Sequence, residues 1–185
     1  EIQSHMNGSL TGEENGLVGL WKFDAGEGEI LYDHSGNANH GDINGASWAV
    51  SLTYVPDDNF EQALIDLGYD DVLDDSVMTA NINSVTTINV GGDSISDLTG
   101  IEDFTALTHL YCANNQLTSL DVSANTALTS ITCFFNELTS LDVSTITGLD
   151  TLICFGNQLT SLDVSNNTAL SKLSCQMNEL TSLDV

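Results

Sequence analysis

Leu107-Thr108-His109-Leu110-Tyr111-Cys112-Ala113-Asn114-Asn115-Gln116-Leu117-Thr118-Ser119-Leu120-Asp121-Val122 is a unit that the chain repeats. It starts again at Leu128, Leu149 and Leu170, always 21 residues on, and reads L-T-x-L-x-C-x-x-N-x-L-T-S-L-D-V-S-x-x-T-x, with Ile131 and Gly148 as small departures. A fixed short period marks a stacked array, because one unit cannot bury its apolar face alone and several in register can. Leu110 and Cys112 alternate with outward residues, which is strand spacing. Asn115, Asn136, Asn157 and Asn178 follow the strand, where an amide satisfies backbone groups as the chain turns inward. Leu117, Leu120, Val122 and, in some turns, Asn125 or Asn167 echo the first half, so the second half is expected to be extended rather than helical. The expected architecture is a β-rich α/β solenoid, flattened, with a parallel sheet on one face and strand-like chain opposite.

Cys112, Cys133, Cys154 and Cys175 occupy one slot of the repeat. The reading is a column of buried free thiols acting as small hydrophobes. Side chains in register on parallel strands point the same way, which suits a disulfide poorly. Four ligands in a line make no zinc tetrahedron.

The unit resembles the leucine-rich repeat, L-x-x-L-x-L-x-x-N-x-L, with Cys in the third apolar slot. The resemblance covers residues 85–185, and the 21-residue form is similar to short bacterial repeats of secreted and cell-surface proteins. It implies that residues between the inward leucines face a concave sheet. Three columns follow: Asn89, Tyr111, Thr132, Ile153, Ser174; then Gly91, Ala113, Phe134, Phe155, Gln176; then Gly92, Asn114, Phe135, Gly156, Met177. Tyr111, Phe134, Phe135, Ile153, Phe155 and Met177 form a candidate partner-binding patch, since contiguous exposed apolar groups usually mark an interaction site. The alternative is that some of them, such as Phe135, tuck into the turn. The opposite face presents Asp121, Asp142, Asp163 and Asp184 flanked by serines, read as a solvated column with calcium bridging as the lesser reading.

Upstream, Val85, Ile88, Val90, Ile95, Leu98, Ile101 and Phe104 make an atypical 22-residue first unit. Residues 51–84 read as a helical N-terminal cap. Pro56 precedes a helix capped by Asp58 or Asn59, burying Phe60, Ala63, Leu64 and Leu67 and ended by Gly68. A second short turn is expected over Asp74–Met78, and the eight acids from Asp57 to Asp75 read as the wet side. Residues 1–6 look like a cloning scar and 7–16 like a linker. Gly16–Asp24, Asp33–Gly41 and Asn44–Trp48 resemble the start of a laminin-G-like, concanavalin A-like jelly roll, truncated within residues 17–50. Two or three strands carrying Trp21, Phe23 and Trp48 then need cover from the cap or another chain. Asp33, Ser35, Asn37 and Asn39 alternate oxygens as a calcium loop does, against a hydrogen-bonded turn as the bland reading. His34 and His40 lack a third metal ligand.

Composition sets the exclusions. The 185 residues hold 27 Asp and Glu against 2 Lys and Arg, a formal charge of −25. Lys22 and Lys172 cannot grip a phosphate backbone or an anionic membrane surface. No apolar run approaches the roughly 20 residues of a membrane helix. No Ser/His/Asp set or metal triad is spaced to converge, so catalysis is not expected. The reading is a non-enzymatic binding module of a secreted or cell-surface protein, engaging a protein or carbohydrate through the concave face. The alternative is a structural spacer or adhesin segment. The last unit stops in mid-repeat, which raises the expectation of a homodimer through its uncapped end.

Overall fold

The computed structural model describes residues 51–185 and two paired backbone segments, Ile30–Leu31 (β1) and Gly41–Asp42 (β2), antiparallel with Ile30 opposite Asp42. The chain divides into two compact units, residues 1–50 and 51–185. The expectations placed on Trp21, Phe23, Trp48, the Asp33–Asn39 loop, His34 and His40 lie outside the described residues.

The repeats form a parallel solenoid. Thr87–Asn89 (β5), His109–Tyr111 (β6), Ser130–Thr132 (β7), Thr151–Ile153 (β8) and Lys172–Ser174 (β10) build one sheet in the order β10-β8-β7-β6-β5. Ile88 pairs with Leu110, Leu110 with Ile131, Ile131 with Leu152 and Leu152 with Leu173. Equivalent residues therefore lie over one another, and the inward residue of each strand joins a single core with Leu107, Leu117, Leu128, Leu138, Leu149 and Leu159. The second half of the repeat is extended as expected. Ser161–Asp163 (β9) and Ser182–Asp184 (β11) pair in parallel with Leu162 opposite Leu183, while the corresponding stretches at Ser119–Asp121 and Ser140–Asp142 carry no regular element. Each strand is only three residues long because every turn must also supply the inward Asn.

The asparagines are the internal staples. Asn136 accepts from the Leu117 N–H at 3.0 Å and donates to the Cys112 and Cys133 carbonyls at 3.0 and 3.1 Å. Asn115, Asn157 and Asn178 repeat the pattern. Each amide thus joins two successive turns and satisfies three backbone groups that the inward bend leaves without sheet partners. A second, sparser set exists. Asn125 and Asn167 donate to Ile101, Phe104, Val143 and Ile146 carbonyls, and their buried Oδ1 atoms have no partner. Ile146 occupies their slot in the turn between, so this second set is not continuous.

The four thiols are free, with Cys112, Cys133 and Cys154 buried and Cys175 half-buried. Burial pushes the Cys112 and Cys154 thiols up to about 12, and Cys133 also rises well above its usual value. The three buried thiols are packing atoms, not nucleophiles.

The cap differs from its sequence reading in three places. Asp57, not Asp58 or Asn59, caps the helix Asp58–Asp66: its Oδ1 accepts the Asn59 and Phe60 N–H groups at 3.0 Å. Its Oδ2 accepts the Ser96 N–H, Ser96 hydroxyl and Asp97 N–H, which ties the cap to the first turn of the solenoid. Burial opposes its ionisation, but these hydrogen bonds prevail and hold its pKa below 3.8. Leu67 lies past the last helical turn and is exposed, while Glu61 takes the buried place. The Glu61 carboxylate accepts the N–H groups of Asp74, Asp75 and Ser76, so this acid is interior wiring rather than wet surface. Finally, Asp74–Met78 is no helical turn. Ser76–Met78 (β4) pairs antiparallel with Leu52–Tyr54 (β3), and the short helix Thr79–Ile82 follows. Gly68 ends the first helix at φ +80°, with Gly68 and Tyr69 N–H groups reaching back to Ile65 and Leu64 carbonyls in a Schellman closure.

Candidate interaction face on the parallel sheet

β5, β6, β7 and β8 bury their middle residue, Leu173 of β10 is half-buried, and the flanking residues point to the other side of the sheet, where Thr132 is covered by its neighbours. The outward columns are Thr87, His109, Ser130, Thr151, Lys172 and Asn89, Tyr111, Thr132, Ile153, Ser174. The hydrogen-bond ladder continues past the strands: Gly92, Asn114, Phe135 and Gly156 N–H groups each bond the carbonyl of the next turn. At that point the backbone must flip to aim the following Asn inward. Gly92, Asn114, Phe135, Gly156 and Met177 all have positive φ, between 52° and 89°. Glycine takes this conformation freely, whereas a side chain there costs about 1–2 kcal/mol. The signal was present in the sequence as two glycines and an asparagine sharing one slot.

Phe135 sits in this strained column and projects across the next turn. Phe134 and Phe155 stack face to face, centroids 4.7 Å apart and planes within 3°. The Phe135 ring stands nearly perpendicular to both, with centroids at 5.6 and 5.1 Å and interplanar angles of 81° and 80°. It lies over Gly156, where a Cβ would come within 2.4 Å of the ring. The glycine at 156 is therefore needed twice, for its φ of +68° and for the ring above it. Phe135 is 45% exposed, with Phe134 and Phe155 half-buried beneath. Of the other candidates, Ile153 is half-buried on β8, Met177 is 68% exposed in the last turn, and Tyr111 stacks with His109 at 6.5 Å. The structure thus brings three of the six residues into one cluster.

Charge is distributed unevenly around this face. The four outward columns contain no carboxylate, although the chain carries 27, and their basic residues are His109 and Lys172. Acids stand at the margins. Asp150 precedes β8 and accepts from the Ser171 and Thr151 hydroxyls, while Glu137 and Glu179 follow the inward Asn136 and Asn178. On the opposite face Asp121, Asp142 and Asp163 accept the N–H groups of Ser123, Ser144 and Ser165, each at 2.9 Å. Those serines hold all three carboxyls below 3.8. Among the described residues no three His, Cys, Asp or Glu side chains are grouped to hold a metal. None of the described helices is long and apolar enough to cross a membrane.

No family model matches the chain. Internalin J of Listeria monocytogenes serotype 4b (strain F2365) is 41% identical over 72 residues, which are 39% of this chain and 8% of that protein. The solved functional domain of InlJ from Listeria monocytogenes, described as including a cysteine ladder, superposes with a TM-score of 0.67 at 40% identity, over 74% of this chain and 31% of that one. The internalin InlF from Listeria monocytogenes strain 4b F2365 gives a TM-score of 0.56 at 22% identity, over 70% of this chain and 49% of that one. Neither the laminin-G-like reading of residues 17–50 nor a carbohydrate ligand finds support in these likenesses. The chain spans less than a third of the length of InlJ, and its residues 51–185 form a parallel-sheet solenoid whose fold matches the leucine-rich-repeat structures of internalins.

Proposed function

We propose that the solenoid is a non-catalytic protein-binding module whose outward sheet face, centred on Phe134, Phe135 and Phe155, meets the partner. The observation that carries this reading is the exposed three-ring cluster, built at the expense of a left-handed Phe135. Packing does not require a side chain there, since Gly92 and Gly156 occupy the same slot without one. Strain retained at a surface position, together with partly exposed aromatic rings among Thr, Ser and Asn, favours recognition over scaffolding. Tyr111, Ile153 and Met177 extend the face. A secreted or cell-surface location belongs to the same reading and rests on the likeness to internalins.

The test is a binding screen against purified extracellular proteins with the native chain and with Phe134→Ala/Phe155→Ala. Hits lost in the variant, with circular dichroism unchanged, support the face. Hits kept by the variant place binding elsewhere, and a screen without hits favours the spacer alternative. A second copy of the chain is the other partner to test; two copies at −25 repel, so light scattering at high and low salt should show a monomer at low salt.

A further inference from the structure

Resting on the face proposed above, we infer that its partner is a cationic protein surface, with an apolar group seated on the three phenylalanines and Lys or Arg side chains around it. Ring geometry speaks first. Phe134 and Phe155 cover each other's faces at 4.7 Å, and Phe135 stands nearly perpendicular to both. A sugar stacks on an open aromatic face, and the two stacked rings have each spent one. An apolar side chain can pack against mixed edges and faces without that demand. Phe135 is also 45% exposed above the half-buried Phe134 and Phe155. Clefts lined by Ser119, Asp121 and Asp142, and by Ser140, Asp142 and Asp163, lie on the opposite face. A protruding group of rings suits a partner surface that closes over it better than a small molecule that needs enclosure.

Charge supplies the second half. The outward columns lack carboxylates, while Asp150, Glu137 and Glu179 border them and the whole chain carries −25. A neutral centre inside an acidic margin is complementary to an apolar anchor flanked by cations. The long-range field draws such a partner in and repels acidic ones.

The experiment uses the full 185-residue chain, a random 12-residue peptide library on phage, and an array of neutral and acidic glycans. Selected peptides are measured against the native chain, Phe135→Gly and Phe134→Ala/Phe155→Ala, at 50 and 500 mM NaCl. Phe135→Gly keeps the fold, because glycine already serves this slot in two other turns. The expected peptides pair an aromatic or aliphatic residue with Lys or Arg. They should weaken at least about 10-fold on Phe135→Gly and at least about 10-fold between the two salts. Peptides lost on Phe135→Gly but uncharged or acidic, and indifferent to salt, overturn the cationic partner and leave the face standing. Cationic peptides indifferent to all the Phe variants are captured by net charge alone and overturn both. Glycan binding that depends on Phe135, with no peptide enriched, overturns the protein class. Enrichment of neither peptide nor glycan overturns the face itself.

Discussion

The two long faces of the solenoid are made differently. Facing away from the sheet, L-T-S-L-D-V-S recurs almost unchanged, and Asp121, Asp142 and Asp163 are each occupied with the Ser two residues on. On the sheet face the outward slots change from turn to turn: Tyr111, Thr132, Ile153, Ser174 in one column, and Ala113, Phe134, Phe155, Gln176 in the next. A position that does the same local work in every turn takes the same residue. A position released from that work is free to vary, and here the released positions gather aromatic rings. Beneath both faces run the asparagines, which neither face can do without.

That contrast is sharpest where the largest loss is expected. Asn136→Ala strands the Leu117 N–H and two carbonyls in the interior, and should destabilise by about 3 kcal/mol or more in urea unfolding. Asn125→Ala removes two bonds and relieves an unpaired oxygen, so its loss should be smaller. Equal losses would break the distinction between the continuous and the interrupted ladder.

Gly156→Ala comes next, at about 2 kcal/mol, from the positive φ and the Phe135 ring above it. In the Phe135→Gly background the same change should lose its clash component, and a double-mutant cycle measures that coupling. Additive effects would mean that the ring does not lie over residue 156. Asp57→Ala should cost about 2 kcal/mol, since it removes a helix cap and the anchor for Ser96 and Asp97.

On the opposite face, Asp121→Asn should change stability by no more than about 0.5 kcal/mol at pH 7. Its pH signature is still defined. Asp57, Asp121, Asp142 and Asp163 are held below 3.8 in the folded state, so what they contribute is present above 3.8 and lost as pH falls through their lower native values. Asp70, raised by desolvation, acts in the opposite sense. The melting temperature should therefore drop below about pH 4, and Asp57→Asn should flatten the acid limb. The smallest expected effect is chemical. At pH 8 a thiol reagent should modify Cys175 first, and Cys112, Cys133 and Cys154 only on unfolding.

The solenoid could be read before any coordinates because its evidence is periodic. A spacing of 21 forces Leu110, Ile131, Leu152 and Leu173 into one column, and with it the thiols and the asparagines. The same arithmetic set the membership of the outward columns, and the resemblance to leucine-rich repeats set the face they take. The cap resisted because nothing in it repeats. Glu61 looks like any other acid in an acidic run, and only the approach of the Asp74–Ser76 backbone makes its burial worthwhile. Asp57 could not be separated from Asp58 while its second partner, 39 residues away at Ser96, was unknown.

What the chain determines by itself is register: equal spacing and alternating burial fix which residues share a row and which face they take. What only the folded molecule decides is how neighbours in a row use the space. Phe134 and Phe155 were assigned to one column from sequence, but their stacking, the ring of Phe135 laid over Gly156, and the departure of Tyr111 to His109 depend on side-chain rotation and on a backbone flip at each turn. Periodicity constrains position along the chain. It carries no information about torsion angles, and those set the shape of the outward sheet face.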